Sequence, residues 1–359
     1  MTDLAPVGLL AELTHRCPLA CPYCSNPLEL TRAADEMDAA DWARVFHEAA
    51  ALGVLQLHLS GGEPASRRDL EEIVAAARDA GLYSNLITSG IGLTEVRLAA
   101  LVSAGLDHVQ LSVQDTDAEG SDRIGNYRGF ARKMDAARWT RTLGLPLTLN
   151  APVHRANVQH VRAFIDMALA MDAGRIEIAH VQYYGWALTN RAALLPTRAQ
   201  LDDTIAVVEA ARAELRGRLV IDFVLPDYYA EAPKPCMGGW GREIIVIAPD
   251  GSAMPCHAAR SIPGMTFETV RARPLADIWR ESAAFNAYRG RAWMKAPCQG
   301  CPQAETDWGG CRCQAMALAG DAAAADPVCS LSPRHGAVAA LAAAEAEAAP
   351  PPYRYRRFS

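Results

Sequence analysis

The stretch Cys17-Pro-Leu-Ala-Cys21-Pro-Tyr-Cys24 places three thiols within eight residues near the start of the chain. Three thiolates from one loop can bind three irons of a 4Fe-4S cluster, which leaves the fourth iron without a protein ligand. A small molecule can take that open position. A zinc knuckle and three unrelated core thiols are the alternative interpretations of the same spacing.

The composition of the chain limits the class of protein. Its 359 residues, 50% of them hydrophobic, can bury a large core and suggest about two domains. A net charge of -6 and the lack of a basic stripe argue against a nucleic-acid partner. No apolar run is long enough for a membrane span, and the first residues lack the features of a secretory signal. We therefore expect a cytoplasmic protein with no membrane partner.

The ten cysteines fall into two groups. Three lie in the first loop, seven lie between Cys236 and Cys329, and none lies between the two groups. The cytosol keeps thiols reduced, and these spacings are typical of ligand sets, so we do not expect disulfides. The gap predicts two functional modules on one chain.

Short apolar runs alternate with longer amphipathic stretches in the first 225 residues. The pattern predicts strands at 7–13, 54–59, 84–88, 108–113, 147–150, 176–181 and 219–225. It predicts helices at 39–52, 68–80, 95–104, 131–143, 160–171 and 198–216, the last with a capping box formed by Thr197 and Gln200. This alternation is typical of parallel β/α units, although periodicity alone does not distinguish a partial barrel from a doubly wound sheet.

Sites in parallel β/α proteins form at the C-terminal ends of the strands. The first predicted strand runs into the cysteine loop, and the second ends in Ser60-Gly61-Gly62-Glu63-Pro64. Two glycines allow the backbone to approach a ligand closely, and Glu63 offers a carboxylate to a cationic amine. By itself, Gly-Gly-Glu also fits an ordinary turn.

The C-x3-C-x2-C loop, with an aromatic residue before its last cysteine, resembles that of the radical S-adenosylmethionine enzymes. The resemblance implies an α/β fold, with a partial (β/α)6 TIM-like barrel over residues 1–225. It also implies that S-adenosylmethionine binds the open iron of the cluster held by Cys17, Cys21 and Cys24. In that family the segment Gly61, Gly62 and Glu63 binds the amino group of the cofactor.

Polar residues at other strand ends are further candidates for cofactor contacts. By the same resemblance, Ser112 and Gln114 contact the ribose and carboxylate of S-adenosylmethionine, with ordinary strand-end capping as the alternative. Asn150 and Gln182 face the same mouth if the barrel is right. Tyr23 occupies the position where the family has an aromatic residue near the adenine, and its backbone could equally make that contact.

The second cysteine group begins with Cys236 and a predicted hairpin, in which a strand at 243–247 and a turn at 249–251 lead to Cys256. This order over residues 226–335 resembles the SPASM extension of radical S-adenosylmethionine peptide maturases, which binds two auxiliary iron-sulfur clusters, either two 4Fe-4S or one 4Fe-4S and one 2Fe-2S. By resemblance the first auxiliary cluster takes Cys236, Cys256, Cys311 and Cys313. The second takes Cys298, Cys301, Asp307 and Cys329.

Asp307 departs from the general SPASM pattern, which has a cysteine at this position. A carboxylate can bind iron, although it is a harder donor than thiolate and should change the potential and lability of the cluster. We expect Asp307 to be a ligand. The alternative is an ordinary surface turn residue in a glycine-rich loop.

Several longer segments narrow the resemblance to the PqqE family of pyrroloquinoline quinone biosynthesis. They include Gln182-Tyr-Tyr-Gly-Trp-Ala, Lys234-Pro-Cys-Met-Gly-Gly-Trp-Gly and Gly309-Gly-Cys-Arg-Cys-Gln-Ala. The resemblance implies a 5'-deoxyadenosyl radical that abstracts hydrogen from a glutamate of the precursor peptide PqqA, followed by a carbon-carbon bond to a tyrosine ring. It also implies a peptide chaperone, PqqD, and a flavodoxin or similar electron donor.

Two alternatives to this function remain open at the level of sequence. One is another SPASM maturase that forms thioethers or dehydrogenates its substrate. The other is a non-catalytic binding module in which zinc is held by Cys298/Cys301 and Cys311/Cys313.

The last part of the chain, residues 336–359, is predicted to be an alanine-rich helix at 337–349 followed by a basic and aromatic tail. We expect that tail to be solvated and frayed, with contact to a partner as the alternative. His15 and His257 lie beside cysteines and could tune a cluster through hydrogen bonds, although isolated histidines are usually structural.

Overall fold

A computed structural model describes residues 4–356. Within these residues one sheet of nine strands runs in the order β7-β6-β5-β4-β3-β2-β1-β8-β9. The strands are β1 Gly8–Thr14, β2 Gln56–Gly61, β3 Tyr83–Thr88, β4 His108–Ser112, β5 Leu147–Val153, β6 Arg175–His180, β7 Val220–Val224, β8 Ile244–Ile247 and β9 Ala253–Met254. β1 to β7 pair in parallel, each with the next along the chain.

Helices follow the strands in the repeating β/α order expected from the sequence. They are α1 Ala39–Ala51, α2 Leu70–Asp79, α3 Glu95–Ala104, α4 Ala118–Gly125, α5 Phe130–Thr142, α6 Val161–Ala170, α7 Gly185–Thr189, α8 Arg191–Leu194, α9 Arg198–Glu214, α10 Leu275–Glu281, α11 Ala283–Asn286, α12 Arg312–Ala319 and α13 His335–Glu347. The predicted ends differ from these by at most two residues for the helices and three for the strands. The capping box of α9 is present, with Thr197 and Gln200 bonded reciprocally.

The sheet is an open, partial barrel, because β7 and β9 lie at its two ends in the described residues. Alternate side chains of β1, such as Leu9, Ala11 and Leu13, are fully buried in the main hydrophobic core. Parallel strands in such folds are buried on both faces, and β1 is buried along nearly its whole length, which is why its sequence is so apolar. The predicted α/β barrel with a cysteine-rich C-terminal extension is confirmed.

The cysteine-rich extension continues the barrel sheet directly. β8 pairs in parallel with the free edge of β1, with Leu9 opposite Ile245 and Ala11 opposite Ile247. β9 then pairs antiparallel with β8, as the predicted hairpin requires. Residues of the extension, including Trp279, belong to the same hydrophobic core as the barrel. A shared sheet and core hold the two cysteine groups in a fixed relation.

The tail after α13 does not fray, in contrast to the sequence expectation. Tyr353 and Arg356 pack back against the loop that follows β1, and Arg356 is only 7% exposed. Residues 357–359 of the predicted tail lie outside the described part of the chain. No helix in residues 4–356 is long and apolar enough to cross a membrane.

Candidate active site

The loop 15–26, which follows β1, carries the first three thiols. It is anchored by backbone and amide hydrogen bonds: the Ala20 N–H donates to the Gly125 carbonyl at 2.9 Å, and the Asn26 side chain donates to the His15 carbonyl at 3.1 Å. His15 is a structural residue of this loop, because its ring accepts from the Thr31 N–H at 2.9 Å. These bonds shape the loop without using a thiol, so the sulfur atoms stay available as ligands.

The three thiols of the loop lie close enough to influence one another. Burial, Glu63 and the neighbouring thiols Cys21 and Cys24 all raise the pKa of Cys17. Burial and the adjacent Cys24 raise the pKa of Cys21 to about 12, and burial also raises that of Cys24. Buried thiols of this kind keep their protons until a cation replaces them, so cluster assembly here must release protons.

The Gly61-Gly62 turn packs directly against the cysteine loop. The Gly62 N–H donates to the Thr14 carbonyl at 2.6 Å, and the Glu63 N–H donates to the Arg16 carbonyl at 2.8 Å. A Cβ atom on Gly62 would lie 2.4 Å from the Arg16 oxygen, and Gly61 has a φ of 115°. The glycines are therefore required for the contact between this turn and the loop. The sequence had suggested instead that they let the backbone approach a ligand.

Glu63 is completely buried and its carboxylate is held by several donors. It accepts hydrogen bonds from the Thr88 hydroxyl and the Ser89 N–H, both at 2.7 Å, and from the Ala65 N–H at 3.0 Å. Thr88 is the last residue of β3 and Ser89 comes directly after it. Neither was identified as a site residue from the sequence. They fix the orientation of a carboxylate whose charge reaches the Cys17 thiol.

Lys133 is a further buried group that sequence analysis missed. It is 2% exposed, and its ammonium donates to the carbonyls of Ser89 at 3.0 Å and Ser112 at 3.2 Å. Burial lowers its pKa, while the nearby Cys21 and Glu63 act in the opposite direction. An ammonium held between the ends of β3 and β4, near the Cys21 thiol, can bind the carboxylate of a ligand.

The position of Lys133 in the sequence contained a signal. It shares the buried face of α5 with Ala136, Ala137 and Thr140, at the spacing of successive helical turns. A lysine on that face needs a partner for its charge.

Two of the predicted cofactor contacts carry buried oxygens without a hydrogen-bond partner, namely Asn150 Oδ1 and Gln182 Oε1. Buried polar atoms are normally paired, so these two oxygens fit a polar ligand that supplies donors. The Tyr23 hydroxyl instead lies beside the Gln114 side chain and the Cys21 thiol. Gln114 also donates to the Ser112 hydroxyl at 3.2 Å, which joins the two residues at the end of β4.

Asn150 and Gln182 also have contacts of their own with the barrel. The Asn150 amide donates to Glu177 at 3.1 Å, and burial followed by the charge of Asp222 raises the pKa of Glu177. The Gln182 amide donates to the carbonyls of His180 and Leu225, at the ends of β6 and β7. Each amide group therefore has a fixed donor and leaves an oxygen as an acceptor. Gln182 lies just beyond the end of β6, whereas Asn150 is the middle residue of β5, so the prediction that Asn150 ends this strand was wrong because β5 continues to Val153.

A cavity of about 660 Å³ opens beside the cysteine loop. Its lining includes Cys17, Ala65, Ser66, Ile91 and Arg356. Ala65 and Ser66 follow the Gly-Gly-Glu turn, so this segment borders the space next to the first thiol. Of the predicted site residues, this cavity is lined by Cys17, whereas the predicted contacts of the cofactor lie outside its lining, so its size suits part of a peptide next to the first thiol.

Four thiols of the extension meet in a closed ring. Cys236 contacts Cys256 and Cys311, and Cys313 contacts the same two thiols. Contact with Cys256 raises the pKa of Cys236, and contact with Cys236 raises that of Cys311. The structure therefore brings together the four residues predicted for the first auxiliary cluster.

The residues predicted for the second auxiliary cluster line one small cavity. Cys298, Cys301, Asp307 and Cys329 all face it. Burial raises the pKa of Cys298, and Asp307, Cys329 and Cys301 add to the effect. One oxygen of the Asp307 carboxylate accepts a hydrogen bond from the Gly309 N–H at 2.8 Å, which fixes the orientation of the carboxylate. The other oxygen is available to bind iron.

Arg312 lies between these two groups of ligands. It is fully buried, donates to the carbonyls of Ala322 and Ala324, and stacks on Trp293 at 4.6 Å. Contact with Cys256 is the largest cause of the raised pKa of Cys236, and burial is the largest cause of the raised pKa of Cys298. The positive charge of Arg312 opposes both increases. A buried guanidinium at this position favours thiolates at both sites.

The two thiol pairs of the zinc hypothesis belong to different sites. Cys298 and Cys301 lie at one cavity, whereas Cys311 and Cys313 belong to the ring of four thiols. Among residues 4–356, no three His, Cys, Asp or Glu side chains are arranged as ligands of a single ion. Cluster ligands each bind a separate iron and do not need that arrangement.

Tyr184 connects the surroundings of two thiol groups. Burial is the largest cause of the raised pKa of Tyr184, followed by the Cys256 and Cys24 thiols. Cys24 belongs to the first loop, whereas Cys256 belongs to the ring of four thiols. Its hydroxyl lies 2.7 Å from Nε2 of His257. His257 therefore contacts a tyrosine located between the first loop and the ring of four thiols.

The barrel and the three groups of candidate ligands define a radical S-adenosylmethionine enzyme with an iron-sulfur extension. Comparisons with known proteins agree: residues 11–168 match the radical SAM superfamily, and residues 236–302 match an iron-sulfur cluster-binding domain named SPASM. Iron-sulfur clusters and S-adenosylmethionine are therefore the cofactors of this chain.

The sequence relatives identify a narrower group. A protein of Methylocella silvestris named PqqA peptide cyclase is 61% identical, covering 95% of this chain and 91% of the relative. A Rhodopseudomonas palustris protein of the same name is 56% identical, with coverage of 99% and 94%. The chain belongs to the PqqA peptide cyclase family.

Solved structures support the fold alone. Streptococcus suis SuiB bound to S-adenosylmethionine has a TM-score of 0.76 at 19% identity, covering 91% of this chain and 78% of SuiB. The protein anSMEcpe with bound AdoMet has a TM-score of 0.65 at 15% identity, with coverage of 95% and 92%.

Replacing the first three cysteines together by alanine should abolish cleavage of S-adenosylmethionine and leave iron at the other two sites. Anaerobically prepared protein should contain iron and sulfide for three clusters, and the variant should lose one of them. Iron analysis together with release of 5'-deoxyadenosine measures both effects. A single cluster in the unaltered protein, or mainly zinc, would refute the assignment.

Asp307→Ala should lose or destabilise the second auxiliary cluster, because the site then has only three ligands. Asp307→Cys should keep the cluster with altered electron paramagnetic resonance spectra, since thiolate is a softer donor than carboxylate. Unchanged iron content and spectra in both variants would show that Asp307 is only a turn residue.

Lys133→Met should weaken the binding of S-adenosylmethionine about 10- to 100-fold, because a hydrogen bond to a charged group contributes about 1.5–3 kcal/mol. The dissociation constant is measured by equilibrium dialysis under anaerobic conditions. Iron content serves as the control for folding. An unchanged dissociation constant in a variant with all of its iron would exclude contact with the cofactor.

Proposed function

We propose that this chain forms a carbon-carbon crosslink between a glutamate and a tyrosine side chain of the precursor peptide PqqA, in the biosynthesis of pyrroloquinoline quinone. The observation that carries the proposal is its membership of the PqqA peptide cyclase family over nearly its whole length. The arrangement of all ten cysteines, with Asp307, in three spatial groups supports it.

When bound and reduced, the cluster and S-adenosylmethionine supply the 5'-deoxyadenosyl radical that removes a hydrogen atom from the peptide. Cys17, Cys21 and Cys24 would hold that cluster, and their loop leaves one coordination position open. Glu63 and Lys133 present opposite charges near these thiols, which suits the amino and carboxylate groups of one amino acid.

The uncharged polar groups complete the proposed cofactor site. Ser112 and Gln114 would contact the ribose, while Tyr23 would lie beside the adenine. The unpaired oxygens of Asn150 and Gln182 would accept hydrogen bonds within the barrel. Such positioning contributes to the rate because the radical must form within contact distance of one peptide hydrogen.

The crosslink removes two hydrogens from the peptide in total. One leaves as a hydrogen atom in the abstraction, and the other leaves as a proton and an electron when the tyrosine ring regains aromaticity. The departing electron needs an acceptor. Cys236, Cys256, Cys311 and Cys313 would hold one, with Cys298, Cys301, Asp307 and Cys329 holding a second.

The cavity beside Cys17 is the proposed entrance for the peptide. It borders the cysteine loop and the segment Ala65-Ser66, so a peptide bound there would place a side chain close to the cofactor. We further propose that PqqD presents the peptide, that a flavodoxin or similar protein donates the electron, and that the reaction takes place in the cytoplasm.

The reaction can be tested with PqqA carrying deuterium on the side chain of the reactive glutamate. With S-adenosylmethionine, PqqD and a strong reductant, the peptide should lose two hydrogens and the deuterium should appear in 5'-deoxyadenosine. Tandem mass spectrometry should find no backbone fragments between the bridged residues. PqqA in which the reactive glutamate is replaced by alanine provides the control, since it lacks the side-chain carbons beyond Cβ from which hydrogen is abstracted.

Cleavage of the cofactor with unmodified PqqA, under conditions in which a verified PqqA peptide cyclase is active, would contradict the proposal. It would then favour a different peptide substrate.

A further inference from the structure

The last described residues of the chain, Tyr353–Arg356, lie across the cysteine loop. We call this segment the C-terminal strap. It follows α13 and a run of prolines, which separates it from the helix. It is far from the loop in sequence and adjacent to it in space.

One side chain binds the strap and the loop at the same time. The Asn190 amide donates to the Pro22 carbonyl in the loop at 2.9 Å and to the Arg354 carbonyl in the strap at 3.0 Å. Its oxygen accepts from the Arg354 N–H at 2.7 Å. Asn190 is 4% exposed, so these bonds are protected from water.

Arg356 contacts the first half of the same loop. Its Nη2 atom donates to the carbonyls of Cys17 at 3.0 Å and Leu19 at 2.8 Å. The side chain is buried and also borders the cavity beside Cys17. A single guanidinium thus fixes two carbonyls in the segment between the first two thiols, where a change of backbone direction would move Cys17.

The tyrosines hold the strap on either side of these contacts. The Tyr355 hydroxyl donates to the Arg123 carbonyl at 2.7 Å, on α4, the helix whose Gly125 carbonyl accepts from Ala20 of the loop. Tyr353 packs edge-on against His154, with 6.1 Å between the ring centres. His154 in turn lies 5.4 Å from the ring of Tyr23. The strap is therefore integrated with the loop and its supports.

We propose that the C-terminal strap is a positioning element of the S-adenosylmethionine-binding cluster, and that Arg356 is its principal residue. Arg356 has two roles. Its hydrogen bonds hold the loop in the shape that lets three thiols bind one cluster, and its positive charge favours the reduced, more negative state of that cluster. A cation in a poorly solvated position acts strongly on a nearby change of charge.

The proposal rests on the cluster ligands proposed above and does not depend on the identity of the peptide. It also explains why the basic, aromatic end of the chain is ordered. Backbone carbonyls that point toward each other in a tight loop need donors, and the strap supplies them from outside the loop. The structure uses the far end of the chain for this purpose.

The first test measures the loop without any dependence on catalysis. Hydrogen-deuterium exchange of the full chain should show faster exchange of peptides covering residues 15–26 in Arg356→Gln, by about tenfold or more. Arg356→Lys should show a similar increase, because the lysine side chain is one atom shorter and its ammonium does not reach the position of Nη2, the atom that donates to both carbonyls. Arg334→Gln is the matched control, since Arg334 is exposed at the start of α13.

The second test separates charge from shape. In anaerobic protein with all clusters, Arg356→Gln should shift the reduction potential of the S-adenosylmethionine-binding cluster to more negative values, while Arg356→Lys should stay close to the unaltered protein. The auxiliary clusters should keep their spectra and potentials in both variants. They also report on folding, because their ligands lie in the extension.

Iron lost from the first site alone, with both auxiliary clusters retained, would support the proposal. Unchanged exchange of the loop together with an unchanged potential in Arg356→Gln would overturn it. Equal loss of all three clusters would also overturn it, since the strap would then stabilise the fold as a whole. None of these measurements uses the peptide, so they remain decisive if the proposed substrate is wrong.

Discussion

The contact between the Gly61-Gly62 turn and the end of β1 is the constraint on which the site depends. The Gly62 N–H binds the Thr14 carbonyl at 2.6 Å, and a Cβ atom on Gly62 would lie 2.4 Å from the Arg16 oxygen. This contact fixes where the chain leaves β1 and enters the cysteine loop. It also places Glu63 beside the first thiol. The same two glycines therefore determine the position of both the cluster ligands and the carboxylate.

The remaining supports of the loop come from distant parts of the chain. Asn190 reaches it from the segment before α8, and Arg356 from the C-terminal strap. Each of these groups is buried and donates hydrogen bonds to backbone carbonyls. On the other edge of β1, pairing with β8 connects the barrel to the extension within one core. The relation between the three ligand groups is thus set by the sheet rather than by a flexible linker.

The features that could be predicted are those encoded by residues that lie close together along the chain. Parallel strands and amphipathic helices have clear periodic patterns, and the thiols of each group lie close together along the chain or in a recognisable order. Arg356 carried no comparable local signal, because an arginine near a terminus is usually solvated, and the signal for Lys133 was confined to its place on the buried face of α5. Their roles depend on contacts with residues far away in sequence. The tail was expected to fray for the same reason, and its packing against His154, which in turn contacts Tyr23, arises only in the folded chain.

The most direct test of the account is whether S-adenosylmethionine binds iron at the first of three separate clusters. Electron nuclear double resonance with cofactor labelled by ¹⁵N at the amine and ¹⁷O at the carboxylate detects such coordination. We predict couplings to both labels on one reduced cluster, and their loss when Cys17, Cys21 and Cys24 are replaced by alanine. Couplings that persist in that variant, or that arise from a cluster held by the extension, would contradict the account.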